Sequence, residues 1–268
     1  MKIIAHISDL HFNSINVDAA QALLTELAIL APTLVAISGD LTQRARQHEF
    51  IAARAYLAQL SAPYLVVPGN HDIPLYDIVR RINRPLERYR KYISDDLNPC
   101  YLDEEIAVLG INTARALSWK SGSLSMQQIT DLRRRLQEFL PSIFKVVVTH
   151  HPFIPPPGRA RADLVRGATQ ALAAMEDCGA DLLLAGHLHR SYNDDIRSHY
   201  PTTRRSILVA QAGTAISTRE RGEPNTYNII RIDQSSVEIS LRVWNGQQFT
   251  TASTTCYIKQ AGEWRPQK

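Results

Sequence analysis

Five short stretches of this sequence end an apolar run and set oxygen or imidazole donors directly after it: Ser8-Asp9-Leu10-His11, Gly39-Asp40, Gly69-Asn70-His71-Asp72, Thr149-His150-His151-Pro152 and Gly186-His187-Leu188-His189. Carboxylate, amide oxygen and imidazole are donors that suit iron, manganese or zinc. Asp9 and His11 stand two residues apart just past a predicted strand, a spacing that turns both side chains to one side, and His187 and His189 repeat it. Glycine before Asp40, Asn70 and His187 permits a tight turn at the carboxyl end of a strand, where open α/β sheets place their ligands. One Gly-Asp or one Asn in a turn is ordinary turn chemistry. The same device after strand upon strand, with four histidines at strand ends, is not explained by packing. His6, His48 and His199 read as structural or exposed, and His151 as a neighbour that orients a ligand or meets substrate.

The elements that must position these residues follow from periodicity. Continuous apolar runs at 3–7, 34–37, 64–67, 106–109, 145–148 and 182–185 suit strands buried on both faces. Between them, apolar residues recur at helical spacing over 17–30, 49–60, 126–139 and 168–175. This β-α alternation implies a layered sheet. From 207 onward the pattern turns to strands at 207–212, 227–232, 237–243 and 249–258, with a turn at Asn245-Gly246, which predicts a second, largely antiparallel sheet. No internal repeat or Gly/Ser linker divides the chain, so a single domain over 1–268 is expected. Residues 74–98 form a helical cap element within it, built around a basic amphipathic helix at 76–92 with Ile78, Ile82, Leu86 and Tyr89 facing inward.

Composition excludes several classes. The chain has 268 residues, 44% of them apolar and 21% charged, which is ordinary for a globular enzyme and too apolar for disorder. No run reaches the roughly 18–20 apolar residues of a membrane span, and the first apolar run is too short for a secretory leader. Three dispersed cysteines, Cys100, Cys178 and Cys256, suggest neither a disulfide framework nor a thiolate metal site, and favour a cytoplasmic protein. The net charge of +4 favours anionic partners.

In this order, D-x-H, G-D, G-N-H-D, H-H-P and G-H-x-H resemble the motif set of the calcineurin-like metallophosphoesterase family, over nearly the whole chain. The resemblance implies an α/β fold, a four-layer α-β-β-α sandwich of two mixed β-sheets flanked by helices. It also implies two divalent or mixed-valence metal ions, manganese, iron or zinc. By the same resemblance Asp9, His11, Asp40 and His189 hold the first ion, and Asp40 bridges to a second held also by Asn70, His150 and His187. Two such ions clamp a phosphate and generate a hydroxide nucleophile at neutral pH. His71 would then face the phosphate as the catalytic residue. One departure bears on it: the aspartate that pairs with this histidine in the protein-phosphatase branch is here Gln43, whose neutral amide orients a ring without supporting its charge.

Within the family, Gly122-x-Leu124 with Gln127 and Gln128, and Gly213-Thr214-Ala215 with Arg219, Arg221 and Asn225, look like the bacterial phosphodiesterase branch. That branch includes class III cyclic nucleotide phosphodiesterases and glycerophosphodiester hydrolases. The expected reaction is hydrolysis of a cyclic nucleotide or other small diester. The alternatives are a phosphomonoesterase, a nuclease or a nucleotide-lipid pyrophosphatase on the same centre, and more remotely a non-catalytic scaffold. Arg80, Arg81, Arg84, Arg88, Arg90 and Lys91 of the cap element suit a nucleic acid, an anionic lipid or a homodimer contact as well as a solvated face. Arg133-Arg134-Arg135 reads as a surface run, and the side of the sheet taken by Arg219 and Arg221 is left open.

Overall fold

The apolar runs alternate which face they bury, and this alternation builds the layers. The computed structural model describes residues 1–158, 164–219 and 222–267. In β1 (Lys2–Ile7), Ala5 and Ile7 pack with Leu23 and Leu27 of α1 (Val17–Leu30) and with Phe50 of α2 (Gln47–Leu57). Ile4, just before them in sequence, points the other way into a cluster shared by both sheets. β2 (Leu34–Ile37) and β3 (Tyr64–Val66) repeat the arrangement in parallel with β1. β5 (Ile106–Gly110), β6 (Phe144–Val148) and β7 (Leu182–Ala185) turn Val108, Val146 and Leu182 to that shared core. Their opposite face packs on α5 (Met126–Glu138) and α6 (Ala168–Asp177). The result is helices, sheet, sheet, helices.

The C-terminal strands do not form a sheet of their own. β10 (Thr226–Ile232) pairs antiparallel with β1, and β11 (Ser236–Trp244), β12 (Phe249–Gln260) and β13 (Glu263–Pro266) follow outward, giving the order β13-β12-β11-β10-β1-β2-β3. β9 (Leu208–Gln211) instead joins the second sheet, ordered β4-β5-β6-β7-β9-β8, with β4 (Cys100–Leu102) and β8 (Tyr192–Asp195) on its edges. The sequence reading of a separate antiparallel sheet is corrected on this point. Hairpin periodicity reveals that strands pair with each other, and leaves open which edge they extend. Edge strands β4, β8 and β13, of three or four residues each, are too short to show a period.

The basic segment is also two helices rather than one. α3 (Ile78–Asn83) ends at Arg84, because Pro85 pushes its predecessor out of the helical region. α4 (Glu87–Tyr92) then starts on a new axis. The inner face therefore changes: Leu86 and Tyr89 are buried, but Ile78 and Ile82 are 47% and 58% exposed, and Arg81 is buried in their place at 3%. Tyr89 donates to the Val66 carbonyl at 3.1 Å and meets Phe50 edge-on. Tyr89→Ala should cost about 3–5 kcal/mol in chemical denaturation, against less than about 0.5 kcal/mol for Ile82→Ala. Comparable losses at both positions would contradict the broken helix.

Candidate functional site

All eight residues singled out as metal ligands or catalyst come together at the carboxyl ends of β1, β2, β3, β6 and β7. They do so without the strand-like spacing the sequence suggested. Nine described non-glycine residues have a left-handed backbone, and five of them are Asp9, His11, Asp40, His187 and His189, with φ of 54°, 48°, 52°, 76° and 55°. Such conformations are uncommon outside glycine and concentrate at functional sites. Each turns its side chain back over the end of the sheet, where a continuing strand would carry it past.

The turns are locked by close approach and by one carboxylate. Gly39, itself at φ 94°, leaves room for the His150 ring, since a Cβ there would lie 2.6 Å from Nδ1. A Cβ on Gly69 would collide with the Asp40 carboxylate. Asp72 accepts hydrogen bonds from the backbone N–H groups of Leu41 (3.2 Å), Thr42 (2.9 Å) and Gly69 (2.9 Å) and from the Thr42 hydroxyl (3.0 Å). It ties the turn that carries Asp40 to the one that carries Asn70. Burial and the neighbouring Asp40 push its pKa up to about 7, against the pull of those N–H donors.

Two groups of donor atoms result. In the first, Asp9 Oδ1 lies 3.5 Å from His11 Nε2 and 3.2 Å from His189 Nε2, and the two nitrogens are 3.2 Å apart. In the second, Asn70 Oδ1 lies 3.1 Å from His150 Nε2 and 3.0 Å from His187 Nδ1. Asp40 Oδ2 stands between the groups, 3.4 Å from His150 Nε2 and 3.8 Å from His11 Nε2. Its Oδ1 is taken by the His71 N–H at 2.8 Å.

These donors fit cations better than they fit one another. Asp9 Oδ1 is buried and accepts no hydrogen bond. His11, His150 and His189 each turn Nδ1 to a carbonyl, of Thr42 (3.3 Å), Ser38 (2.7 Å) and Arg219 (3.2 Å). In the neutral rings those carbonyls fix the proton on Nδ1 and direct the Nε2 lone pair inward. Metal–ligand bonds of about 2.0–2.2 Å at tetrahedral or octahedral angles put neighbouring donors about 3.0–3.5 Å apart, the spacing seen in both groups. His151 is near His150 and His187, but both its ring nitrogens are engaged, by Thr113 Oγ1 and the Lys120 carbonyl, each at 2.8 Å.

Charge is distributed accordingly. Burial opposes ionisation of Asp9 and Asp40, yet the surrounding histidines hold both carboxyls below the usual range. Burial disfavours a charged His150 too, but Asp40 and Asp9 outweigh it and push it up to about 9. Burial lowers His11 and takes His187 down to about 3.

His71 differs from the expectation in its partner. Its Nδ1 donates to the backbone carbonyl of Gln43 at 2.9 Å, so the amide side chain is not what orients the ring. Gln43 Oε1 instead accepts from Arg219 Nη1 at 3.3 Å, and the same nitrogen lies 3.3 Å from His71 Nε2. Arg219 is thus a site residue that sequence reasoning left aside, because nothing in the chain shows that the loop after β9 folds back over β1. That fold-back is made by Ala215 N–H to Ser8 O at 3.0 Å, and Asn225 Nδ2 braces the loop from within by donating to Ser217 O at 2.7 Å. Arg221 lies outside the described residues. Gln128 caps α5 and hydrogen-bonds the Asn112 carbonyl, away from the donors. His6 is buried between the sheets against Ser38, while His48 and His199 are exposed.

The donors floor a cavity of about 280 Å³ whose walls include Arg44, Ile73, Leu75, Trp119, Leu188 and Arg219. The wall at Trp119 is held by Arg81, a second residue missed in sequence. Its guanidinium donates to the carbonyls of Pro74 (3.0 Å), Ala116 (2.7 Å) and Ser118 (2.7 Å) and stacks 4.5 Å from the Trp119 ring. The Trp119 carbonyl in turn accepts from Asn70 Nδ2 at 3.4 Å, which aims Asn70 Oδ1 at the histidines. Long basic side chains read as surface, so only the carbonyls that surround Arg81 reveal it as an anchor.

This fold is that of the metallophosphatases. A family model described as "Calcineurin-like phosphoesterase" matches residues 3–191, more than half of the chain, and the protein belongs to that family. It is 40% identical over 81 residues to the "Glycerophosphodiester phosphodiesterase GpdQ" of Enterobacter lignolyticus (strain SCF1), covering 26% of this chain and 29% of the relative. It is 28% identical over 173 residues to a "Probable glycerophosphodiester phosphodiesterase GpdQ" of Arcobacter nitrofigilis, covering 59% and 57%. The chain spans less than two thirds of the length of either relative. A dimetal phosphatase from Danio rerio shares the fold with a TM-score of 0.66 at 13% identity, over 94% of this chain and 98% of that one.

Two outcomes follow from the geometry. Asp72→Asn turns an amide N–H toward N–H donors and should cost about 1–3 kcal/mol, read as a fall in Tm with loosened cation binding; an unchanged Tm would remove Asp72 as the tie. The His150 proton must leave before Nε2 can take a cation, so manganese affinity of metal-free protein should fall by up to about tenfold per pH unit below 9. Calorimetric affinities that are flat between pH 6 and 9 would contradict that competition.

Proposed function

We propose that the chain is a metal-dependent phosphodiesterase acting on small phosphodiesters. The observation that carries this reading is the pair of donor groups meeting at Asp40 on the floor of a cavity that also holds His71 and Arg219. Asp9, His11, Asp40 and His189 would hold one ion, and Asp40, Asn70, His150 and His187 the other, as divalent or mixed-valence manganese, iron or zinc. Bound there, the ions supply charge neutralisation at the phosphate and water activation at neutral pH.

The chain's own residues do the rest. Gln43 O fixes the proton of His71 on Nδ1 and leaves Nε2 facing the cavity as the atom that meets the phosphate or the leaving oxygen. Arg219, beside that nitrogen, is placed to donate to a non-bridging phosphate oxygen. Ile73, Leu75, Trp119 and Leu188 give an ester substituent an apolar wall, which a phosphomonoester does not use. The names of the two GpdQ relatives support the same reaction class.

Small substrates are favoured over nucleic acid or anionic lipid. The cavity lies at the lower edge of the roughly 300–1,000 Å³ usual for small-molecule sites. Much of the basic face of segment 74–98, the proposed cap element of a single domain, is already engaged. Arg80 pairs with Asp77 and Glu87, Arg84 with Glu87, and Arg81 is buried. Free thiols at Cys100, Cys178 and Cys256 support a cytoplasmic setting.

Manganese-loaded protein should hydrolyse bis(4-nitrophenyl) phosphate with a higher kcat/KM than 4-nitrophenyl phosphate, and Asn70→Ala should lower it at least about 10²-fold. A monoester preference, or full activity in Asn70→Ala, would overturn the assignment.

A further inference from the structure

Two cations besides Arg219 line the cavity, Arg44 and Lys120, and Asp40, on the floor, is the one carboxylate among the described residues of its lining. Arg44 lies 5.3 Å from the centre of the Tyr76 ring, and Tyr76 is 72% exposed, so its guanidinium sits at the mouth and not among the donors. Glu49, five residues on, turns Oε2 to the backbone N–H groups of Arg44 (2.8 Å) and Arg46 (3.1 Å) rather than to the guanidinium. Lys120 is exposed beside Trp119. Neither cation forms an ion pair among the described residues, in contrast to Arg80 and Arg84 nearby.

Both are mounted on fixed backbone. The Lys120 carbonyl accepts from His151 Nε2 at 2.8 Å, and the Ser118 carbonyl just before it is held by Arg81 at 2.7 Å. Arg44 is held through its own N–H by Glu49. Cations presented on ordered segments lose little freedom when an anion arrives, which is where electrostatic complementarity yields selectivity. A phosphodiester is a monoanion, met at the floor by the donor groups and Arg219.

We infer that the mouth of this cavity is a subsite for a second anionic group on the substrate, a carboxylate or phosphate a short chain away from the scissile phosphate, held by Arg44 and Lys120. The inference rests on the phosphodiesterase reading and narrows it to diesters with a charged alcohol.

The test compares two isosteric diesters, 4-nitrophenyl 2-carboxyethyl phosphate and 4-nitrophenyl 3-methylbutyl phosphate, on manganese-loaded protein. The carboxylate should raise kcat/KM by about tenfold at low salt, and the ratio should approach one in 0.5 M NaCl as rim charges are screened. In Arg44→Gln/Lys120→Gln the ratio should collapse to about one even at low salt. Equal kcat/KM in the unaltered protein, or a preference that survives in the double variant, would overturn the subsite. Dissociation constants of the two matching methylphosphonate monoesters, measured by calorimetry, read the same ratio without turnover. A protein that binds the carboxylate form more tightly but hydrolyses neither diester would defeat the proposed reaction and leave the subsite standing.

Discussion

One carboxylate, Asp40, stands where two sets of buried donors meet, and the surrounding structure is organised to keep it there. Its backbone is left-handed at φ 52°, its Oδ1 is held by the His71 N–H, and its Oδ2 faces a histidine of each set. A buried carboxylate without compensation is strongly unfavourable. Here the histidines supply compensation in the metal-free chain, and cations would supply more. The strain of five left-handed donors, of order 1–3 kcal/mol each where it is not relieved locally, is sustained because Asp72 and the glycines at 39 and 69 admit no other course for the chain.

The sheets explain why the donors converge. β1, β2 and β3 run parallel in one sheet and β5, β6, β7 and β9 in the other, so the loops that follow them open at one end of the sandwich. The shared core of Ile4, Leu34, Val108, Val146 and Leu182 fixes the two sheets against each other below those loops. Asp9, Asp40 and Asn70 then come from one sheet and His150, His187 and His189 from the other. The site is thus a seam between sheets, and its geometry depends on core packing well away from the donors.

Much of this was legible in the residues because buried parallel strands leave an uninterrupted apolar signature and because the donors follow those strands directly. Residues 17–30, 34–37 and 182–185 form the elements that periodicity predicts. What escaped was long-range or backbone-determined. The left-handed turns at Asp9 and His187 are not encoded by side-chain periodicity, and the edge joined by β10 depends on pairing across more than 200 residues. Pro85 marked a break that the charge pattern of 76–92 obscured. Arg81 and Arg219 were read as surface or left open because their partners are carbonyls and rings brought near only by the fold.

The central claim is that Asp40 is shared by two cations. Metal-free protein titrated with manganese and followed by electron paramagnetic resonance tests it most directly, since two manganese ions joined through a common carboxylate are exchange-coupled. The account predicts two ions per chain with a coupled signal that Asp40→Asn abolishes. One ion per chain, or two that remain magnetically isolated, would contradict it.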